Sequence, residues 1–290
     1  MKKSTPERVA RYYADLAGEY SAYGGAAQSW NYGVWEPDVR THQAALQRGK
    51  ELLVRGLDIG PDTRLLDVGF GSGGFAVWCA SQFGCRVTGI TICEENIDLA
   101  ENAALEAGVS ERCEFRLMDM EALVFEPESF DVVTNQETLC YAHEKRRYLR
   151  SVFRVLSPGG VWSSIDCNLR PGKLSAGESE ALDSVLQGFH IPQLISAEKT
   201  KAHCLAAGFV DFDMRDLTEL SFPTASLIMR RSHGALKLAR RFPRRRLHSP
   251  DAREEANVRG HYEAGMAYAV GLHTGLFQQV WYRARKPPRI

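Results

Sequence analysis

A chain of 290 residues, 44% of them apolar, is long enough for one large or two small domains with a full core. Its 36 Lys and Arg balance 36 Asp and Glu, so no global field draws it to nucleic acid. The start MKKSTPERVARYY has no apolar run, no segment approaches a membrane span, and the seven cysteines form no C-x-x-C pair; a cytoplasmic protein with reduced thiols and no stable membrane insertion is expected.

In chain order, residues 1–40 are aromatic-rich and precede the first clear strand. A helix is predicted over 41–56, with Ala45, Leu46, Leu52 and Leu53 on one side, and IGPD (59–62) is a turn. RLLDVGF (64–70) reads as a buried strand ending at glycines, and GFAVWCASQF (74–83) as the helix after it. CRVTGIT (85–91) is a second strand. EENIDLAENAALEAG (94–108) is a helix with carboxylates in its first turn and Gly108 at its end. CEFRLMD (113–119) and FDVVTNQ (130–136) are the third and fourth strands. EKRRYLRSVFRVL (144–156) is a helix stopped by Pro158, and GVWSSIDC (160–167) is the fifth strand. EKTKAHCLAAGF (198–209) is a helix, DFDMRDL (211–217) a strand and LFQQVWYRARK (276–286) the last strand. Between those last two strands, helices are predicted near 223–241 and 252–272. Such alternation implies an α/β fold with a parallel sheet and helices on both faces. Ligands then bind at the carboxyl ends of the strands, in the loops after Val68, Ile90, Met118 and Thr134. The long insertion is expected to cap the acceptor.

The stretch LLDVGFGSGGFA fits two glycine patterns. Gly69, Gly71 and Gly74 match the dinucleotide fingerprint G-x-G-x-x-G, while Gly69, Gly71 and Gly73, led by Asp67, match the G-x-G-x-G loop of S-adenosylmethionine enzymes. A dinucleotide site wants an acid on the ribose about 20 residues on. Thr91 stands there instead, which argues against an NAD-dependent oxidoreductase. Asp67 can bind backbone N–H groups of the loop or, through water, a ligand ammonium. Asp119, at the end of strand three, can accept from an adenine amino group while the Met120 backbone meets the ring edge.

As a set, LLDVGFGSGG, GITICEEN, LMDME, FDVVTNQETLCYA and RVLSPGG resemble the successive motifs of class I S-adenosylmethionine-dependent methyltransferases, over roughly residues 45–170. The resemblance implies S-adenosylmethionine as cofactor and a Rossmann-like, seven-stranded, mostly parallel sheet with an antiparallel last strand. It implies cofactor contacts from Asp67, Gly69, Gly71, Gly73, Thr91, Ile92, Asn96, Asp119, Met120 and Asn135. Thr91 followed by the polar Asn96 is similar to the sterol and terpenoid C-methyltransferase branch. YADLAGEYSAYGG with WNYGVWEP resembles that branch's aromatic N-terminal lid, here Tyr20, Tyr23, Trp30, Tyr32 and Trp35.

The chain is therefore expected as one methyltransferase unit over 1–290: a helical lid (1–40), a core (41–218), a cap (219–275) and a final strand (276–290). The expected reaction is C-methylation of a prenyl or terpenoid double bond through a carbocation, which aromatic faces and carboxylates would stabilise. Glu137, His143 and Tyr20 are the candidate catalytic residues. N- or O-methylation of another small natural product is the alternative. No metal-ligand spacing is visible, so no metal is expected; Mg²⁺ enters only with a diphosphate acceptor. The run Arg230–Arg246 is read as a solvated loop or an oligomer contact, with a diphosphate clamp as the alternative. The expected partner is a small apolar or prenylated substrate, with no nucleic acid; a homo-oligomer stays open.

Overall fold

The computed structural model describes residues 4–17, 31–241 and 252–289. Helix α1 (Pro6–Asp15) starts at Thr5, whose hydroxyl accepts from the Arg8 N–H. Helix α2 (His42–Val54) is capped in the same way by Thr41. Then follow β1 (Arg64–Val68), α3 (Gly74–Phe83), β2 (Arg86–Thr91), α4 (Glu95–Glu106), β3 (Cys113–Leu117) and β4 (Phe130–Gln136). The second half runs α5 (Lys145–Val155), β5 (Leu156–Leu169), α6 (Ala176–Gly188), α7 (Ala197–Ala207) and β6 (Val210–Asp216). It continues with α8 (Thr218–Arg241), α9 (Ala252–His273) and β7 (Phe277–Arg285).

Seven strands join in one sheet, in the order β3-β2-β1-β4-β5-β7-β6. All neighbours from β3 to β5 pair in parallel, and β7 lies antiparallel to both β5 and β6. The expected fold is therefore present, with the antiparallel strand inserted second from one edge.

Strand alternation sorts consecutive residues onto opposite faces. Leu66, Val133 and Tyr282 pack with Tyr148, Leu149 and Val152 of α5 and Cys204 of α7. Their neighbours Leu65, Val132 and Trp281 pack on the other face with Leu52 and Leu53 of α2 and Phe75 of α3. Two further apolar clusters lie above the strand ends. In one, Val185 of α6 and Ala225 of α8 meet Tyr268 and Leu272 of α9. In the other, Tyr12 and Leu16 meet Val258 and Tyr262 of α9.

Three elements differ from expectation. Helix α6 was not expected from its polar sequence; a capping box between Ser175 and Glu178 starts it and Val185 buries it. Helix α8 begins at Thr218 and carries Pro223 inside its second turn rather than starting there. Strand β5 reaches back through Pro158 to Leu156, where a helix end was expected. All seven cysteines are unpaired, five of them buried. No helix among the described residues is long and apolar enough to cross a membrane.

Candidate active site

The carboxyl ends of β1, β2, β3 and β4 open into a cavity of about 590 Å³. One end is lined by the glycine loop, with Asp67, Gly69, Gly71 and Ser72. Gly69 (φ 76°), Gly71 (φ 58°) and Gly73 (φ 81°) are all left-handed, a conformation side chains resist. A Cβ on Gly69 would stand 2.5 Å from the Thr138 side chain.

Thr91, Ile92 and Asn96 line the same end. Thr91 and Asn96 are buried, and Thr91 Oγ1 accepts from the Cys93 N–H at 3.2 Å. Asp119 and Met120 also line it. Asp119 Oδ1 accepts from the Glu121 N–H at 2.9 Å, capping the short turn Met120–Ala122. Asp67 is fully buried, and burial pushes its carboxyl up to about 7. Its Oδ1 accepts from the Thr134 hydroxyl at 3.3 Å, while Oδ2 has no hydrogen-bond partner among the described residues. It does not take the loop amides: the Gly69 N–H donates to the Ile90 carbonyl instead, at 2.8 Å. A buried, unsatisfied carboxylate oxygen asks for a donor from a ligand. With the left-handed Gly69 and Gly71 leaving backbone exposed to the cavity, these residues fit S-adenosylmethionine.

Two of the expected cofactor residues lie off the cavity lining. Asn135 does not line the cavity. Its Nδ2 donates to Ser164 Oγ (2.7 Å), and its Oδ1 accepts from the Tyr148 hydroxyl (3.1 Å) and Trp162 Nε1 (2.9 Å), so it is spent in the core. Gly73 does not line it either. It caps α3, and a Cβ there would stand 2.6 Å from Ala100 Cβ, so this glycine serves the packing of α3 on α4.

Glu137 lines the cavity just past β4. It is one of four non-glycine residues with positive φ among the described residues, at 52°. Burial pushes its carboxyl up to about 8. Its Oε1 accepts the Tyr32 N–H at 2.7 Å and Gln279 Nε2 at 3.4 Å. Behind it, Asp166 holds the turn: Oδ2 accepts from Thr138 (2.9 Å) and Leu139 (2.7 Å) N–H, and Oδ1 from Cys140 (3.2 Å) and Cys167 (2.9 Å) N–H. Cys140, Asp166 and Cys167 also place their ligand atoms within 4.8 Å of one another. Those four amides already occupy the carboxylate.

The far end of the cavity is aromatic: Tyr12, Tyr13, Tyr32, Tyr141, Phe189 and Tyr268 line it. Tyr32 meets Tyr268 edge-on at 5.3 Å. Tyr13 donates to the Tyr141 hydroxyl at 3.0 Å, and Tyr12 bonds His261 Nδ1 at 2.7 Å. Burial draws His261 down to about 4, so it is neutral there at pH 7. His143 lines the cavity, as do Arg230 and Arg231 from α8. Trp35 does not: its Nε1 donates to Thr224 Oγ1 at 2.9 Å, pinning the entering chain to α8. Tyr20, Tyr23 and Trp30, and residues 242–246 of the basic run, lie outside the described residues. Lys50, buried on α2 and lining the cavity, escaped the sequence reading. Its signal was a lysine on an apolar stripe, between Leu46 and Leu53.

Residues 66–163 match the model of a methyltransferase domain. The 27-O-demethylrifamycin SV methyltransferase of Amycolatopsis mediterranei is 28% identical over 235 residues, covering 81% of this chain and 85% of that protein. Among solved structures, the [4+2]-cyclase SpnF superposes with a TM-score of 0.79 at 26% identity, over 99% of this chain and 98% of that one. The geranyl diphosphate C-methyltransferase of Streptomyces coelicolor A3(2), solved with Mg²⁺, geranyl diphosphate and S-adenosyl-L-homocysteine, shares the fold with a TM-score of 0.73 at 20% identity, over 97% of each chain. The chain thus carries a methyltransferase domain over residues 66–163, in a sheet order and with a glycine loop similar to those of class I S-adenosylmethionine-dependent methyltransferases.

Proposed function

We propose that the chain methylates a carbon of a prenyl or terpenoid double bond on a small molecule of secondary metabolism. The carrying observation is the cavity's aromatic far wall with the buried Glu137 on its lining. S-adenosylmethionine supplies an electrophilic methyl group when bound. The chain's own work is to place the acceptor in line and exclude water, which a deep cavity with an aromatic far wall favours. A double bond that gains a methyl becomes a cation, and the faces of Tyr32, Tyr141 and Tyr268 suit such a charge. Glu137 then takes the proton that restores the double bond. A carboxyl held near 8 is partly ionised at neutral pH, and a cation beside it favours ionisation further. Helices α8 and α9 act as the cap and residues 31–35 as part of the lid; the Tyr32 N–H on Glu137 ties that segment to the site. Asp67, Thr91, Asn96 and Asp119 hold the cofactor.

One observation favours transfer to a hydroxyl oxygen instead. Tyr268 OH and Gln279 Oε1 are buried on the cavity wall without hydrogen-bond partners among the described residues, and an acceptor hydroxyl would satisfy both. The deciding experiment incubates the protein with methyl-labelled S-adenosylmethionine and a panel of prenyl diphosphates, prenylated indoles, sterols, phenols and amines. NMR of the product then locates the label. A C-methyl signal is expected; label found only as O-methyl or N-methyl overturns the proposal.

A further inference from the structure

Tyr268 of α9 and Gln279 of β7 line the cavity and are only 2% and 1% exposed. The Tyr268 hydroxyl and Gln279 Oε1 nevertheless have no hydrogen-bond partner among the described residues. Leaving a buried polar atom unpaired is costly, so two of them on one cavity wall call for a ligand group that completes both.

Neither side chain is loose. The Tyr268 ring stacks on Phe277 at 5.0 Å and meets Tyr32 edge-on at 5.3 Å. The Gln279 backbone is held on both sides, its N–H donating to Thr218 Oγ1 at 3.1 Å and its carbonyl accepting from the Leu217 N–H at 2.7 Å. Its side-chain NH₂ donates to Glu137 Oε1 at 3.4 Å, which leaves the oxygen of the same amide for another donor. Burial above all holds the Tyr268 phenol well above its usual range, so it keeps its proton and can donate.

A hydroxyl meets one donor and one acceptor at a single atom: its oxygen accepts from Tyr268 and its proton goes to Gln279 Oε1. A carbonyl would leave Gln279 unsatisfied, and a diphosphate would set negative charge against the Glu137 carboxyl. An amide oxygen accepts a hydrogen bond but takes no proton, so a hydroxyl held there stays a hydroxyl, and Glu137 is left to serve the carbon centre. Resting on the C-methylation reading above, we propose that the acceptor is a prenyl or terpenoid alcohol, anchored by its free hydroxyl between Tyr268 and Gln279. Because Gln279 touches both that hydroxyl and Glu137, the hydroxyl belongs close to the reacting double bond, as in an allylic alcohol.

Calorimetry on the full chain, saturated with S-adenosylhomocysteine, tests the anchor without turnover. The probes are geraniol and farnesol, each against the hydrocarbon that lacks only its hydroxyl. Wild type should bind each alcohol about tenfold or more tightly than its hydrocarbon, which leaves both wall atoms unpaired. Tyr268→Phe removes only the phenol oxygen. It should cut that preference to about threefold or less while affinity for the hydrocarbon stays within about twofold. Equal affinity of wild type for alcohol and hydrocarbon, or no binding of either alcohol, overturns the proposal whether or not the variant folds. An unchanged preference in folded Tyr268→Phe overturns it too. The position of the label after incubation with methyl-labelled S-adenosylmethionine separates the anchor from the reading it rests on. A C-methyl product without the alcohol preference overturns the anchor alone. An N-methyl product with the preference intact overturns C-methylation alone, and label on the alcohol oxygen overturns both.

Discussion

Replacing Asp166 by asparagine tests how the turn carrying Glu137 is held. Each carboxylate oxygen accepts two backbone amides, Thr138 and Leu139 on one, Cys140 and Cys167 on the other. Asparagine offers one acceptor oxygen and one NH₂. Whichever way its amide turns, two of the four buried N–H groups face a donor. A buried donor left unsatisfied costs about 1–3 kcal/mol, so Asp166→Asn should destabilise the fold by about 2–6 kcal/mol. For a chain of this size that is a fall in Tm of roughly 3–10 °C. A second readout separates structure from electrostatics. The Asp166 charge is one of the causes holding the Glu137 carboxyl high, after burial itself. With that charge gone, Glu137 should ionise at lower pH, and the pH midpoint of turnover should move down with it. Thermal melting followed by circular dichroism, and a pH–rate profile of the folded fraction, measure both. A variant that melts within about 1 °C of wild type, with an unmoved midpoint, would refute the account of the turn.

Gly71→Val should abolish S-adenosylhomocysteine binding in a folded protein, because φ is 58° there and a branched side chain would fill the cavity; retained affinity by calorimetry would contradict the loop assignment. Gly73→Ala should do the reverse, lowering Tm through the 2.6 Å approach to Ala100 while the folded variant binds the cofactor within about twofold. Glu137→Gln should keep cofactor affinity and lose most turnover. Its stability should also gain on wild type as pH rises. The Glu137 carboxyl titrates near 8 in the fold against 4.5 for the free group, so whatever its neutral form contributes is fully present below about 4.5 and lost as pH rises through about 8. Urea titrations at pH 5 and pH 8 that show the same difference between the two proteins would rule this out.

Much of the fold was legible because each strand of the core is a short apolar run closed by glycine or a polar turn, as at Leu65–Gly69 and Val132–Gln136. The cofactor end was legible for the same reason: loops at strand ends line the cavity. Side-chain direction was harder. Asn135 and Glu137 are two residues apart, and plain strand alternation would send both to one face. The left-handed φ of Glu137 breaks the alternation, so Glu137 faces the cavity while Asn135 stays in the core. No local pattern announces such a turn at a glutamate. The partner of the Trp35 indole was equally out of reach, since Thr224 is 189 residues away. Helix α6 was missed because its sequence is mostly polar, and tertiary packing at Val185 and Gly188 decides it.

Strand β7 has a consequence for how the molecule is made. It is the last element in chain order, yet it lies between β5 and β6 and hydrogen-bonds to both. A ribosome delivers β6, α8 and α9 before the strand that joins β6 to the rest. Until residues 277–285 emerge, the outer edge of β5 is open and β6 has no partner in the sheet. Fully open strand edges invite wrong pairing, so the nascent chain passes through a stage when it most needs a chaperone. Wholesale closure of the sheet, and with it the Gln279 wall beside Glu137, waits on its final segment.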